Sequence, residues 1–543
     1  MTGIGPTDPA GGGIPAAVRR RLTTVETRLD GRSWLATAFV VAIAAIIRFA
    51  NLSHPPGKIF DEIYYARDAW GLVDKGVEWN YKDGGPSYVV HPPLGKWLIG
   101  FGEWAFGYQD VEHGISVPGH LWTTSPEFGW RFSAALLGTL SVLLLVRIGR
   151  RMFRSTVLGC AAGLLLAVDG FHLVLSRTAL LDIFLLFFVL AAFGALVLDR
   201  DATRRRWARA LEAGLDPTAR GRAGRPPGGW RNWPWWRLAT GVLLGCAFAV
   251  KWSALFFVPA FALLMFLWDV GTRRSAGVRR PWRDTLLDGV PWMVLAGVLM
   301  AVTYVATWSG WLFGQDGYYR LAERYPGANL SDTPVVGALW NLVQYHQAAL
   351  GFHNQLDDPH KYQSWPWQWL LLGRPVAFHW TGESACGAPS CAEEVLLLGT
   401  PLLWWSFLPA LVAVVWLGLA RRDWRAGAIL LGAGAGLLPW FWFALDGRTM
   451  FSFYAAPALP FLVLAVVYVL GAIASPAGLG GARPVGGADD ESSRDRRLVG
   501  GVIAGAYVVL VVLCFAYFYP IFVGKVLPYA EWSARMWLDG RWI

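Results

Sequence analysis

An acidic pair, Asp61 and Glu62, lies in the polar segment that follows the first long hydrophobic stretch of this 543-residue chain. That stretch runs from about residue 33 to 50, and at about 1.5 Å per residue a helix of this length approaches the thickness of a bilayer core. Two adjacent carboxylates at a membrane surface can form a solvated loop, or one of them can accept a proton from an attacking hydroxyl group. Arg48 favours a functional site, because charge inside a membrane is costly and usually functional.

Two cations, Lys251 and Arg448, are candidates to hold the phosphate of a lipid, and Arg131 and Arg48 lie at comparable positions near the ends of apolar stretches. Lys251 ends a short apolar stretch at about residues 238–250, only about 20 Å long as a helix, which holds the ammonium group at headgroup depth. Arg448 begins a later apolar stretch, and two cations at one depth indicate an anionic headgroup rather than an ion pore. Arg131 opens the second stretch and Arg48 lies near the end of the first. The alternative for these cations is that the long side chain extends to the interface without binding a ligand.

The composition indicates a polytopic membrane protein, because 55% of the residues are hydrophobic and only 16% are charged. The net charge of +10 would also suit a nucleic-acid-binding protein. However, the arginines cluster in short segments between apolar stretches, as topogenic signals do, and this pattern places the N-terminus in the cytoplasm. A transporter would also keep charge inside its helices, but the chain has no internal repeat and its inner half is largely apolar.

The apolar stretches predict an all-α polytopic fold with about eleven transmembrane helices. The predicted helices lie at about residues 33–50, 130–146, 156–173, 179–198, 238–250, 253–270, 286–308, 401–420, 426–445, 450–474 and 498–520. The predicted regions are a cytoplasmic tail (1–32), a transmembrane catalytic domain (33–474) with outer loops 51–129 and 309–399, a flexible cytoplasmic linker (475–497), and a last helix with a short outer tail (498–543). The mixed-charge residues fall on the outer side, so any chemistry is expected to be extracytoplasmic.

The five cysteines fall into two groups. Cys160, Cys246 and Cys514 lie in apolar stretches and are expected to be inert packing residues. Cys386 and Cys391 are close together in the second predicted outer loop, where a disulfide can persist. We predict a bond between these two.

Arg177 and Asp182 are a further pair at the outer face. They are slightly too far apart in sequence for an ideal ion pair on one helix. A local structural salt bridge between them is nevertheless one interpretation, and a contact with a substrate is the other.

Several motifs occur in a collinear order along the chain. They are Phe60-Asp61-Glu62, His91-Pro92-Pro93-Leu94-Gly95-Lys96, Arg131, Ser176-Arg177 with Leu181-Asp182, Lys251-Trp252, the segment from His360 to Trp367, the segment from Gly399 to Trp405, and Gly447-Arg448 with Phe451, Tyr454 and Pro457. This ordered set resembles the protein O-mannosyltransferase family of GT-C glycosyltransferases. The outer loop after the seventh predicted helix is too short for the β-trefoil domain of eukaryotic members, so the chain resembles the bacterial, actinobacterial-type branch.

The resemblance implies an inverting, metal-independent and cofactor-free transfer of mannose at the cell membrane, from a polyprenyl-phosphate-mannose lipid to Ser or Thr hydroxyls of translocated proteins. Asp61 is then the general base and Glu62 orients the site. Lys251 and Arg448 hold the phosphate. The further expected contacts are Arg131 and Arg48 in the same charge network, and His91, His360, Tyr362, Arg177 and Asp182 with the sugar or acceptor. The nearest alternative is a GT-C enzyme acting on a glycolipid or polysaccharide, and the secretion translocon is a further candidate partner.

Overall fold

The computed structural model describes residues 18, 22, 30–219, 221–226, 233–474, 491–538 and 542. Helices dominate both halves of the chain. The α-helices of the first half are α1 (Gly31–Phe49), α2 (Glu62–Lys75), α3 (Leu94–Phe106), α4 (Pro126–Phe153), α5 (Thr156–Ala167), α6 (Gly170–Ser176), α7 (Leu181–Glu212) and α8 (Trp235–Phe248). Those of the second half are α9 (Phe257–Ala276), α10 (Pro281–Asp288), α11 (Val290–Ala306), α12 (Ser309–Phe313), α13 (Val336–Asn354), α14 (Pro366–Trp369), α15 (Pro401–Trp405), α16 (Phe407–Arg421), α17 (Trp424–Leu437), α18 (Pro439–Leu445), α19 (Leu459–Ala474), α20 (Glu491–Phe522) and α21 (Tyr529–Ser533).

Short 3-10 helices complete several of these segments. They are Gly221–Gly224, Trp252–Phe256, Ala322–Arg324 and Ser452–Ala458. The segment Trp252–Phe256 leads directly into α9, and Ser452–Ala458 leads directly into α19. Lys251 directly precedes the first of these two 3-10 segments, and Arg448 lies four residues before the second. These are the two cations that the sequence analysis expected to face a lipid phosphate.

In the described residues, three small antiparallel sheets add to the predicted all-α architecture. Their strands are β1 (Trp79–Asn80) with β2 (Gly85–Pro86), β3 (Gly107–Asp110) with β4 (Ile115–Pro118), and β5 (Val376–Thr381) with β6 (Cys391–Leu397) and β7 (Leu527–Pro528). In the third sheet Val376 pairs with Leu397 and Ala392 pairs with Leu527. The segment after the last long helix therefore completes a sheet formed by the second predicted outer loop.

Nine helical segments of the described residues are long and apolar enough to cross a membrane, and the pair α5 and α6, bent by 65°, makes up to ten. The count of about eleven predicted from the sequence also included α8. That helix has only 14 residues, about 21 Å at helical rise, and is too short to cross a bilayer alone. The predicted multi-pass architecture is confirmed. The apolar pattern also predicted correctly that α8 is a short helix.

Asp169 explains the bend between α5 and α6. Its carboxylate accepts a hydrogen bond from the His172 amide at 3.0 Å and so caps a new helix at a different angle. The same carboxylate accepts hydrogen bonds from the Thr400 amide at 3.1 Å and from Trp404 Nε1 at 2.8 Å. One buried acid thus fixes the start of α6 and ties it to α15.

The long helices α7 and α19 form the centre of the helix array and are the most buried of the candidate spans. The segment between α1 and α4 packs on this array through the contact of α3 with α4. A Cβ atom at Gly102 would lie 2.3 Å from the carbonyl oxygen of Gly129, so only glycine permits this close approach of the two helices.

Two predicted boundaries change. Residues 491–497 of the predicted linker are helical, because α20 begins at Glu491. Residues 475–490 lie outside the described residues, as does most of the predicted tail 1–32. Asp30 caps α1 by accepting a hydrogen bond from the Arg32 amide, so the first helix starts at residue 31 rather than 33.

Candidate active site

Asp61 stands at the entrance to α2, immediately after a turn in an unusual conformation. Phe60 has a φ of 49°, in the left-handed region that non-glycine residues rarely occupy, at a cost of about 1–3 kcal/mol. Its ring is held by stacking on Phe378 of β5, with centroids 4.4 Å apart, and by an edge contact with Phe453 at 6.0 Å. These aromatic contacts fix the turn that presents the Asp61 carboxylate.

Burial raises the pKa of Asp61 to about 6. The nearby positive charge of Lys251 opposes this rise, and the negative charge of Asp182 adds to it. At neutral pH the carboxylate is ionised, yet it is more basic than an exposed aspartate. A pKa near the working pH is suitable for a general base.

Glu62 has a different environment from its neighbour, because it is fully buried and saturated with hydrogen bonds. Arg131 donates to its two carboxylate oxygens at 2.9 and 2.8 Å, and the amides of Ile59 and Ala179 each donate at 3.0 Å. Such a bidentate pair is geometrically specific. Glu62 therefore joins α2, α4 and the segment before α7, and its oxygens already have protein donors.

Lys251 lies at the break between α8 and the 3-10 helix Trp252–Phe256. Its ammonium donates to Asp182 at 2.8 Å and lies 5.6 Å from the ring centre of Phe453 and 5.8 Å from that of Tyr454. An ammonium group has three N–H donors, so the ion pair with Asp182 leaves capacity for a ligand oxygen.

A cavity of about 320 Å³ brings Lys251 and Arg448 together. Asp182 also lines it, so three charged groups that are distant in sequence line one cavity. Its lining includes His91, Asp182, Lys251, Trp252, His353, Trp440, Phe443, Arg448 and Tyr454. A cavity with apolar walls and few charged groups suits a sugar phosphate attached to an apolar chain.

Arg448 is held on one side and is open on the other. It donates to the carbonyl oxygen of His353, and its second terminal nitrogen lies 3.4 Å from His353 Nδ1. Its buried Nε has no hydrogen-bond partner among the described residues. A buried N–H without a partner is unfavourable, and an anionic ligand oxygen in the cavity would satisfy it.

The two cavity histidines are neutral. Their rings lie 5.4 Å apart, and His353 Nε2 is 3.0 Å from the carbonyl oxygen of Val90. Burial is the largest cause that lowers the pKa of both His91 and His353, and the nearby cations Lys251 and Arg448 lower it further. A neutral imidazole can donate or accept a hydrogen bond, which suits contact with sugar hydroxyls.

Two family models match the chain. One, described as dolichyl-phosphate-mannose-protein mannosyltransferase, matches residues 38–215, and the other, described as the C-terminal four-TMM region of protein-O-mannosyltransferase, matches residues 338–542. The polyprenol-phosphate-mannose–protein mannosyltransferase of Mycobacterium tuberculosis is 39% identical over 520 residues, covering 93% of this chain and 91% of that protein. The protein of the same name from Corynebacterium glutamicum is 33% identical over 534 residues, covering 94% and 93%. The chain belongs to the protein O-mannosyltransferase family.

The fold is also that of a solved member. The Saccharomyces cerevisiae protein O-mannosyltransferase Pmt1-Pmt2 complex, bound to the sugar donor, matches with a TM-score of 0.67 at 16% identity, over 99% of this chain and 96% of the matched chain. The GT-C fold expected from the motif order is confirmed. The chain is therefore a membrane-spanning glycosyltransferase.

Two arginines that the sequence analysis assigned to the donor or acceptor instead hold the backbone of the mannosyltransferase. Arg48 is fully buried, donates to the carbonyl of Ala44 at 3.1 Å and lies 2.7 Å from His172 Nδ1. Arg177 donates to the carbonyls of Arg48 and Ala50, each at 2.8 Å. Neither lines the cavity around Lys251.

The local salt bridge considered between Arg177 and Asp182 is wrong. Asp182 instead pairs with Lys251, whereas Arg177 donates to backbone carbonyls at the end of α1. The turn before α7 explains the difference, because Arg177 precedes the first residue of that helix and the two side chains do not share one helical face.

Arg131 is likewise placed away from the cavity. All three of its guanidinium nitrogens donate to protein atoms, namely the carboxylate of Glu62 and the carbonyls of Leu52, Pro55 and Gly57. In this arrangement Arg131 fixes the loop that carries Asp61 rather than facing the donor phosphate.

His360 and Tyr362 lie one aromatic layer from the cavity. The Tyr362 amide donates to His360 Nδ1 at 3.1 Å, and the His360 ring meets Phe451 edge-on at 5.0 Å. Phe451 in turn stacks on Phe453, which faces Lys251. Neither residue lines the cavity, and His360 is exposed. Their predicted contact with the sugar or acceptor stays a prediction.

Sequence reasoning missed His353, although it anchors Arg448 and lines the cavity. It lies near the end of α13, and Arg448 follows 95 residues later, so no spacing rule connects them. The only local signal is a polar His-Asn pair that ends an apolar helix. The predicted disulfide, by contrast, is confirmed, because Cys386 and Cys391 are bonded with Cα atoms 6.0 Å apart.

Proposed function

We propose that this chain transfers mannose from a polyprenyl-phosphate-mannose lipid to Ser or Thr hydroxyls of polypeptides. The observation that carries the proposal is the basic Asp61 carboxylate, with a pKa of about 6, beside a cavity that holds the paired cations Lys251 and Arg448. The names of the relatives specify the same donor class and a protein acceptor. A carboxylate and fixed cations are the groups that glycosyl transfer from a phosphate requires.

The proposed reaction is a single displacement at the anomeric carbon of the mannose. The acceptor oxygen forms a bond to that carbon while the bond from the carbon to the phosphate oxygen breaks. The hydroxyl proton passes to Asp61, and the electron pair of the broken bond leaves on the polyprenyl phosphate. One displacement of this kind inverts the anomeric configuration. Because an acceptor hydroxyl is a weak acid, the proton moves late, as the attacking oxygen gains positive charge.

In this proposal Lys251 and Arg448 bind the phosphate before the reaction and stabilise the charge that it gains. Asp182 positions the ammonium group, and His353 positions the guanidinium group. Preorganised charge of this kind lowers the barrier without reorganisation during the step. The proposal includes metal independence, since two fixed cations already face the leaving group. Transfer should therefore persist in a chelator such as EDTA.

The proposal places the site on the extracytoplasmic face of the cell membrane. The arginine clusters at the opposite helix ends support this orientation, because cytoplasmic loops are enriched in Arg and Lys. The Cys386–Cys391 bond supports it as well, because disulfides persist outside the cytoplasm. At this face an acceptor polypeptide would emerge from the secretion translocon, which we include as a candidate partner.

A reconstituted reaction tests this function directly. The purified chain in lipid nanodiscs is given radiolabelled mannosyl phosphopolyprenol and either a Ser/Thr-rich peptide, the same peptide with Ala in place of Ser and Thr, or a glycolipid acceptor. We expect label on the first peptide only, with an α-mannosidic linkage from the β-linked donor. Label on the glycolipid alone would assign the chain to another lipid-phosphate glycosyl transfer.

A further inference from the structure

A second cavity, of about 630 Å³, lies between α1, α4, α7 and α8. Small residues of α7 such as Ala191 and Gly194 line it, and so do the indole rings of Trp34 and Trp236. These two rings are 43% and 44% exposed. Because exposed apolar surface in a membrane protein faces lipid, this groove is open to an acyl chain.

The groove is apolar except at one end, where α4 contributes three arginines. Arg147 lies 3.9 Å above the ring of Trp34 and donates to the hydroxyl of Thr37 at 3.3 Å. Arg150 and Arg151 line the same end, and each has an acidic partner. No Asp or Glu side chain lines this groove within the part of the chain that the structure describes.

Arg147 is the cation that distinguishes this end. Among the described residues no carboxylate lies within ion-pair distance of Arg147. Its side chain is half-buried and donates hydrogen bonds to the hydroxyl groups of Ser33 and Thr37. A guanidinium held flat on an indole ring keeps N–H donors directed outward from its edge. A phosphate oxygen is the partner that such a fork accepts best.

The groove is remote from the proposed donor site. Arg147 lies on the same helix as Arg131, about 24 Å further along its axis at about 1.5 Å per residue. Arg131 holds the Asp61 loop, so Arg147 lies near the opposite surface of the membrane. A lipid whose phosphate contacts Arg147 therefore belongs to the other leaflet.

We infer that this groove binds an anionic phospholipid, with its phosphate on Arg147 and one acyl chain along α7 between Trp34 and Trp236. Anionic lipid is favoured over zwitterionic lipid because Arg147 has no carboxylate partner within ion-pair distance among the described residues and no Asp or Glu of the described chain lines the groove. A phospholipid is favoured over the mannosyl donor because the groove lies at the end of α4 opposite to Arg131 and at the end of α8 opposite to Lys251. The bound lipid would fasten α1 to α8 at this surface.

Lipid binding to the full-length chain tests the inference without using mannosyl transfer. The purified protein in detergent is titrated with phosphatidylglycerol, phosphatidylcholine or undecaprenyl phosphate, and bound lipid is counted by native mass spectrometry. The variants are Arg147→Gln, Ala239→Phe, which fills the groove from α8, and Arg209→Gln, an exposed arginine of α7 outside the groove.

We expect phosphatidylglycerol to bind at least fivefold more tightly than phosphatidylcholine. Arg147→Gln should weaken that binding about five- to tenfold, as expected for one lost contact between a guanidinium and an anionic headgroup. Ala239→Phe should remove it by volume alone, and Arg209→Gln should leave it unchanged. Equal binding of the two phospholipids, or unchanged binding in both groove variants, overturns the inference. Undecaprenyl phosphate as the tighter ligand of the Arg147 site would overturn the identity of the lipid.

Discussion

Two buried groups of charges around the candidate site differ in how completely their hydrogen-bonding groups are satisfied. The group around Glu62 and Arg131 is closed, because each carboxylate oxygen and each guanidinium nitrogen has a protein partner. The group around Lys251 and Arg448 is open, because Arg448 Nε is buried without a partner among the described residues and both cations line a cavity. Both groups join segments that are far apart in the chain.

The difference separates structural from chemical roles that residue types alone do not distinguish. A closed group contributes fixed geometry, since any ligand would have to displace an existing bond. An open group retains donors whose best partner is an anionic ligand. Asp61 and Glu62 are adjacent in sequence, yet Glu62 belongs to the closed group whereas the Asp61 carboxylate interacts with Lys251 of the open group.

The largest expected effect comes from removing the proton acceptor. Asp61→Asn keeps the shape of the side chain, so we expect single-turnover mannosyl transfer with pre-bound donor to fall by about 10²–10⁴-fold. Its thermal unfolding should remain close to that of the wild type, because burial already disfavours the charged carboxylate. Near-normal turnover would assign the chemistry to another group.

Breaking the closed group should affect stability more than chemistry. Glu62→Gln leaves the buried Arg131 charge uncompensated, and removal of one partner of a buried ion pair costs about 3–5 kcal/mol. The measurement is thermal unfolding in detergent. The double variant Glu62→Gln with Arg131→Met should recover part of this loss, since no buried charge then remains unpaired. A stable Glu62→Gln protein with a deeper loss of turnover than Asp61→Asn would reverse the two roles.

Removing a cation of the open group should weaken donor use. Arg448→Gln loses a charge-assisted hydrogen bond to the phosphate, worth about 1.5–3 kcal/mol, so we expect kcat/KM for the lipid donor to fall roughly 10- to 100-fold. The protein should remain folded, because Arg448 pairs with His353 rather than with an acid. Arg324→Gln, at an exposed surface ion pair with Asp316, is the matched control and should have no effect. Equal values for both variants would remove Arg448 from the phosphate site.

The smallest expected effect is the pH dependence of the chemical step, which tests whether Asp61, beside the open group, has a raised pKa. Asp61 must be deprotonated to act as a base, and its pKa is about 6. The protonated fraction therefore grows as the pH falls through 6, and the single-turnover rate should drop roughly tenfold per pH unit below that value. The rate should be nearly constant from pH 7 to 8. A rate that stays constant down to pH 5 would contradict the raised pKa.

Three charged residues of the candidate site illustrate how much the sequence indicated. Lys251 and Arg448, which line the cavity, were identifiable because each is a cation at the edge of an apolar stretch, where the charge has to be explained. Asp61 was identifiable as one of two adjacent carboxylates in the polar segment after the first apolar stretch. The short length of α8 could also be predicted, because the number of consecutive apolar residues sets the length of the helix. The disulfide followed from two cysteines close together in a polar loop.

The sequence by itself determined which segments enter the membrane and which charged residues lie at their ends, because hydrophobicity and chain length act locally. Only the tertiary structure decided which side chain each buried cation contacts. Glu62 and Arg131 are 69 residues apart, as are Asp182 and Lys251, and His353 and Arg448 are 95 apart. Hydrogen bonds depend on distances of about 3 Å between side chains that only helix packing brings together, and no spacing along the chain encodes those distances.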